Sequence, residues 1–183
     1  MFAACEICIL AGGRSSRMGA DKSRLRLGRR TLLGHVRAAA NATGLKARVI
    51  RSDVVPQCGP LGGVFSALAT SRAETILFLS CDMPFVSPEL LKMLGLRLKP
   101  GMAALFTEEE GQIGFPFLIR REVLPVVERQ LSARRPSLRG LADALDARTF
   151  RVTRSRKHEL FNVNTPGDLK IARDCWHGLA RRA

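Results

Sequence analysis

The run Thr75-Ile76-Leu77-Phe78-Leu79-Ser80 constrains the fold of this 183-residue chain more than any other segment. Consecutive large apolar residues leave no polar face, so a strand built from them needs cover on both sides. A parallel sheet held between helices meets that need, whereas a one-sided antiparallel sheet would show alternation. Glu6-Ile7-Cys8-Ile9-Leu10 is a second short apolar run, stopped by Ala11-Gly12-Gly13. Between the two, Leu32, Leu33, Val36 and Ala39–Ala40 recur at helical spacing and predict a helix over 31–43, and Ala47 to Ile50 reads as a further strand. Residues 61–71 are expected to be helical in their second half. Pro88 opens a helix to about residue 98, at a position where its missing N–H costs nothing. Strand and helix therefore alternate, as in a three-layer αβα, Rossmann-like domain with a mostly parallel, mixed sheet.

The second half is less regular. Residues 102–107 and 114–119 read as two strands around the acidic turn Glu108-Glu109-Glu110-Gly111, followed by helices over 121–133 and 138–146. Arg148 to Thr153 alternates like a part-exposed strand, and Pro166 to Leu179 forms a last helix with Thr165 as its cap. The length suits one domain over residues 1–183, and 46% hydrophobic content excludes a disordered or collagen-like chain. The longest strongly apolar runs are far too short to cross a bilayer, so no membrane partner is expected. Cys5, Glu6 and Cys8 interrupt the first apolar run, no basic flank precedes it, and it does not read as a signal peptide.

Thirty Lys and Arg against sixteen Asp and Glu give a net charge of +14, and 24 of the thirty are Arg. Such a balance favours anions. The arginines are scattered from Arg14 to Arg182 with no basic tail, which fits a solvated surface around an anion pocket better than a nucleic-acid interface. Cys5 and Cys8 would fall on opposite faces of one strand, so they are not a redox pair. The five cysteines are expected to be buried thiols of a cytoplasmic protein.

Chemistry concentrates at the strand ends. Leu10-Ala11-Gly12-Gly13 lets the backbone turn tightly and present N–H groups to a phosphate or base, and Arg14, Arg17 and Lys22 add charge within the same loop. Together they describe a triphosphate cradle. The dinucleotide fingerprint is absent because Gly12-Gly13 and Gly19 are wrongly spaced, and Asp21-Lys22-Ser23 lacks the glycine of a P-loop. Asp82 directly follows the strongest strand and is expected in the ligand crevice, where one carboxylate with phosphate oxygens suffices for Mg²⁺. Asp53 follows a strand and is equally consistent with a turn. Gly59-Pro60-Leu61-Gly62-Gly63 offers a rigid turn whose main chain can approach a flat base. Asn162 and Asn164 flank Val163, so in an extended segment both amides face one side.

The segment from Leu10 to Val36 resembles the signature L-A-G/A-G-x-x-x-R-M-G-x-x-K of the sugar-phosphate and cofactor nucleotidyltransferases. Gly59–Gly63, Ser80-Cys81-Asp82-Met83-Pro84 and Asn162-Val163-Asn164-Thr165-Pro166-Gly167-Asp168-Leu169 extend the likeness over nearly the whole chain. Within that superfamily the chain is most similar to the bacterial molybdenum cofactor guanylyltransferases. The resemblance implies a magnesium-dependent enzyme that transfers GMP from GTP to molybdopterin. It implies Arg17, Lys22 and Asp82 as catalytic residues, with Asp82 the metal ligand. It implies nucleotide contacts from Leu10, Ala11, Gly12, Gly13, Lys22, Asp53, Gly59, Pro60, Leu61 and Asp82, and an acceptor or metal-shell role for Asn162 and Asn164. Transient contact with molybdenum insertion proteins or molybdoenzyme chaperones follows from the same likeness, with a monomer or weak homo-oligomer as the working state.

Three segments match the guanine type rather than the cytosine type: Leu10–Gly13, Asp82-Met83-Pro84 and Asn162–Pro166. The chain departs from the family between the first long helix and Ala47, where a second strand, an Asn-containing loop and a helix are usual. A sheet one strand and one helix shorter is expected. The loop from Gly19 to Lys22 is also one residue short of the commonest spacing. Cytidylyl transfer, another phosphorylated acceptor such as phospholactate, a sugar phosphate or methylerythritol phosphate, and a non-catalytic cofactor carrier stand as alternatives.

Overall fold

The computed structural model describes residues 5–12, 22–51, 58–132 and 136–180. In chain order the elements begin β1 (Cys5–Leu10), a short ribbon β2 (Arg26–Leu27) and β3 (Arg30–Thr31), α1 (Leu32–Asn41), β4 (Lys46–Ile50), α2 (Pro60–Thr70), β5 (Thr75–Ser80) and α3 (Pro88–Arg97). They continue with β6 (Ala104–Glu109), β7 (Gln112–Arg120), α4 (Leu124–Leu131), α5 (Leu138–Ala144), β8 (Arg148–Arg151) and α6 (Pro166–Ala180). Tight 3-10 turns occupy Lys22–Arg24, Arg121–Val123 and Arg154–Leu160.

Six strands form one sheet in the order β4-β1-β5-β7-β6-β8. β1 pairs in parallel with both β4 and β5, and β6 with β8, while β7 runs antiparallel to its two neighbours. The sheet is therefore mixed and mostly parallel, with β4 at one edge. The central run of β5 behaves as its composition requires. Leu77 and Leu79 pack with Ile7, Ile9, Val36, Leu90 and Leu94 on one face. Ile76 and Phe78 pack with Cys8, Val64, Leu68 and Val127 on the other. At about 25 cal/mol per Å², full burial of each such side chain contributes about 1.5–3 kcal/mol, so this strand organises both layers at once. Phe117 of β7 continues the second face, stacked 5.0 Å from Phe78 and 4.6 Å from Phe106.

Local signals set most boundaries. Thr31 caps α1 by accepting from Gly34 N at 3.0 Å, and Ser87 caps α3 by accepting from Leu90 N at 3.1 Å, with Pro88 in its first turn. Several expectations need correction. α2 is helical from Pro60 rather than only in its second half, because Leu61, Gly62, Gly63 and Val64 are all buried and packing outweighs low glycine propensity. The acidic turn is shorter than expected. β6 extends through Glu109, and Glu110 and Gly111 make a two-residue turn with φ of 51° and 78°, which matches the twist of a hairpin. The helix expected over 121–133 is a 3-10 turn followed by α4: Pro125 has no N–H to give Arg121 O, which accepts from Leu124 N instead. The ribbon β2–β3 and the 3-10 turn at 154–160 carried no hydrophobic period and were not expected.

Cys5 and Cys8 do lie on opposite faces of β1, in contact with different core clusters. Burial of the cysteines is uneven. Cys8 and Cys81 are buried, Cys5 and Cys58 are half-buried, and Cys175 is exposed on α6. Trp176 is a packing anchor, joining Leu27, Leu32, Val163, Leu169 and Ala172 in a third cluster that fastens the ribbon and α6 together. Val127 is core, with Leu124 and Val126 packed against it. No helix among the described residues is long and apolar enough to cross a membrane.

Candidate active site

Because β1, β4 and β5 run in parallel, their carboxyl ends open at one edge of the sheet. The pairing continues one step past the strands. Ala11 N donates to Ile50 O at 2.8 Å and Cys81 N to Leu10 O at 3.1 Å. Gly12 and Asp82 therefore leave adjacent strands side by side, at the position where open α/β sheets bind ligands. The backbone carbonyl of Asp82 accepts from Val163 N at 2.9 Å, which draws the segment before α6 over the same edge.

Lys22, sixty residues before Asp82 in the chain, meets it here. Its Nζ lies 3.5 Å from Asp82 Oδ2 and 2.6 Å from Asn164 Oδ1. Lysine and carboxylate side chains are 18% and 11% exposed, so solvent screens this contact only in part. The other oxygen of Asp82, Oδ1, accepts from Ser80 Oγ at 2.6 Å. Ser80 is the last residue of β5, and the two-residue spacing puts both side chains on one side of the chain.

Asn164 is held from behind. Asp168 Oδ2 accepts from Asn164 N at 2.9 Å and from Thr165 N at 2.8 Å, while Thr165 Oγ1 accepts from Asp168 N at 3.1 Å. This is a reciprocal cap on α6 with Asp in the third helical position. The N–H of Asn164, chiefly, holds the Asp168 carboxyl below its ordinary range, and the charge of Lys22 acts in the same direction. A second clamp fixes the preceding turn. Glu159, 3% exposed, accepts from Ser87 N at 3.2 Å and from Ser87 Oγ, and from Arg156 Nη1 at 2.7 Å. That turn is thereby locked to the start of α3.

The anticipated residues divide into groups. Lys22, Asp82 and Asn164 converge. Asn162 lies beside them but bonds inward, donating from Nδ2 to Leu160 O at 2.9 Å. It also lines a groove of about 440 Å³ beneath the β6–β7 hairpin, together with Thr107, Gln112 and Phe115. Ala11 and Gly12 sit at the crevice, Gly12 exposed. Leu10 is 8% exposed and Leu61 fully buried, so their side chains belong to the core and only main-chain atoms are available there. Gly59 caps α2 with φ of 56°, a conformation that favours glycine, and Pro60 follows in the first turn. Gly13, Arg14, Arg17 and Asp53 lie outside the described residues. Sequence reasoning missed Ser80 and Asp168. The first was legible only as a hydroxyl two residues before Asp82, the second as an acidic residue three after a helix-capping Thr.

The MobA-like NTP transferase domain family matches residues 7–149, well over half of the chain. The chain belongs to this family. Among curated relatives, a molybdenum cofactor guanylyltransferase of Xanthomonas euvesicatoria is 35% identical over 173 residues, covering 86% of this chain and 88% of that protein. Among solved structures, the molybdopterin-guanine dinucleotide biosynthesis protein A of Archaeoglobus fulgidus superposes with a TM-score of 0.76 at 22% identity, over 94% of this chain and 99% of that one. A 4-diphosphocytidyl-2C-methyl-D-erythritol synthase of Anaerococcus prevotii superposes with a TM-score of 0.71 at 13% identity, over 94% and 98%. As a family member the chain is a nucleotidyltransferase with the Rossmann-like fold of that superfamily. At 13% identity this last likeness shows the shared fold alone, and a fold does not by itself fix the substrate.

Proposed function

We propose that this protein transfers GMP from GTP to the terminal phosphate of molybdopterin, forming molybdopterin guanine dinucleotide and releasing pyrophosphate. The observation that carries the reading is the meeting of Lys22, Asp82 and Asn164 at the carboxyl edge of β1 and β5. Had Lys22 and Asp82 fallen on opposite sides of the sheet, no such mechanism would be tenable. The curated relative named for the same reaction supports the choice of substrates.

In this reaction an oxygen of the acceptor phosphate forms a bond to the α-phosphorus of GTP, and the bond from that phosphorus to the β-phosphate bridging oxygen breaks. The nucleophile is already an anion, so no protein group is needed to remove a proton. The work is positioning and charge neutralisation. Lys22 reaches the triphosphate as a mobile point charge. Main-chain groups at Ala11, Gly12, Gly59 and Pro60 are assigned to the nucleotide; Arg17 and Asp53, which lie outside the described residues, are assigned to it by the resemblance alone. Asn162, two residues before Asn164, lines the groove under the β6–β7 hairpin, and that groove is the space assigned to the acceptor.

The donor set fits Mg²⁺. Asp82 Oδ2 and Asn164 Oδ1 are hard oxygens, and one cation, the Lys22 ammonium, already lies within reach of both. Among the described residues no group of three or more His, Cys, Asp or Glu side chains is placed to hold a metal, so Asp82 and Asn164 would hold the ion with help from phosphate and water oxygens. When bound, the ion neutralises charge on the triphosphate. Incubating the protein with molybdopterin and GTP, CTP or ATP, and following pyrophosphate, tests the reading. Release with GTP is expected; release with CTP alone reassigns the base, and none with any nucleotide rejects the reading.

A further inference from the structure

We propose that in the free protein Lys22 occupies the cation site itself, so that a divalent cation binds only together with the nucleotide that draws the lysine away. The proposal rests on the transferase reading above. It concerns the order of loading, which that reading leaves open.

Three observations carry it. The ammonium of Lys22 stands between Asp82 Oδ2 and Asn164 Oδ1, at 3.5 and 2.6 Å. These are the same two oxygens that a divalent cation would use. The remaining carboxylate oxygen, Asp82 Oδ1, accepts from the Ser80 hydroxyl at 2.6 Å, which weakens it as a second donor to a cation. Among the described residues no three His, Cys, Asp or Glu side chains come together to hold a metal, and the carboxylate of Asp168 is engaged by the Asn164 and Thr165 N–H groups. Among the described residues, a cation arriving alone would meet one amide oxygen, one carboxylate already shared with Ser80, and the ammonium between them.

A triphosphate changes each of these terms. Its oxygens attract Lys22, which is attached through a flexible four-carbon stem and leaves without disturbing the backbone. Departure of the ammonium frees Asp82 Oδ2 and Asn164 Oδ1 together. Asn164 does not follow the lysine, because Asp168 holds its main chain through Asn164 N at 2.9 Å and Val163 N is tied to Asp82 O at 2.9 Å. The vacated oxygens therefore stay in register, and the phosphates complete the coordination shell. Lys22 serves first as a guard on the site and then as a phosphate ligand.

Titration of the full chain with Mn²⁺, read by the loss of the free-ion EPR signal and without nucleotide or acceptor, tests this. Lys22→Met is expected to bind Mn²⁺ at least roughly thirtyfold more tightly than the wild type, the effect of removing one like charge about 4 Å from a doubly charged ion in bulk water, the lower bound for a part-buried site. Lys22→Arg keeps the charge and is expected to show no gain. Adding Asp82→Asn to Lys22→Met is expected to remove the gain. Indistinguishable Mn²⁺ binding by wild type and Lys22→Met overturns the proposal, as does a gain that survives Asp82→Asn. Failure of the transferase reading would show instead in the pyrophosphate assay, which this titration does not use.

Discussion

Replacing Asp168 separates the mechanical support of the site from its chemistry. Asp168→Ala orphans two main-chain donors at once, the N–H groups of Asn164 and Thr165, now 2.9 and 2.8 Å from a single carboxylate oxygen. A typical intramolecular hydrogen bond contributes about 1 kcal/mol net, and water reaches these exposed groups, so the loss is about 1–2 kcal/mol. For a chain of this length that lowers the melting temperature by roughly 2–8 °C. Because both donors meet one oxygen, the amide oxygen of Asp168→Asn can accept both, and this variant is expected to recover most of the loss at neutral pH. The sign with pH follows from the lowered carboxyl. The folded state favours the ionised form, so its contribution is full above the ordinary carboxylate range and disappears as pH falls through the folded value. The difference in melting temperature between wild type and Asp168→Asn should therefore shrink on acidification. Turnover with GTP should fall further in Asp168→Ala than in Asp168→Asn, since Asn164 loses its anchor. An Asp168→Ala protein that melts and turns over like the wild type refutes the reasoning.

Lys22→Ala is expected to lower turnover roughly 10²- to 10³-fold, as loss of one charge-stabilising donor does, while a partly screened ion pair costs stability about 1 kcal/mol or less; steady-state kinetics beside a melting curve compare the two. Ser80→Ala releases Asp82 Oδ1 and should reduce turnover about tenfold with a melting temperature near that of the wild type, the equivalent of about 1.4 kcal/mol in the reaction barrier. At Gly28, with φ of 60°, an added Cβ would lie 2.7 Å from Trp176 Nε1, so Gly28→Ala should destabilise the protein by about 1–2 kcal/mol and shift the emission of its single tryptophan. Burial pushes the thiols of Cys5 and Cys8 up to about 11 and about 12, so an alkylating reagent at pH 8 should modify exposed Cys175 first and leave Cys8 intact, as peptide mass mapping would read.

The sequence by itself determined the layered sheet, because an apolar run such as Ile76–Leu79 has no stable place except between two covering layers. It also singled out the residues proposed for the chemistry, since Lys22, Asp82 and Asn164 stand beside glycine turns, strand ends and helix caps whose signals are local. Where regular periodicity was missing, the sequence was silent: the β2–β3 ribbon has two residues per strand, too few to show alternation, and the 154–160 turn is held by Glu159 and Arg156 rather than by an apolar stripe. Only the tertiary structure decided that residues 22, 82 and 164 share one ammonium-sized space. Their separation of 60 and 142 positions is invisible to any local pattern, and the meeting depends on parallel strand pairing and on a cap at α6 that brings Asn164 back to the end of β5. Ser80 and Asp168 gained their roles the same way, because a hydroxyl or carboxylate becomes a positioning group only when the fold supplies the partner it holds.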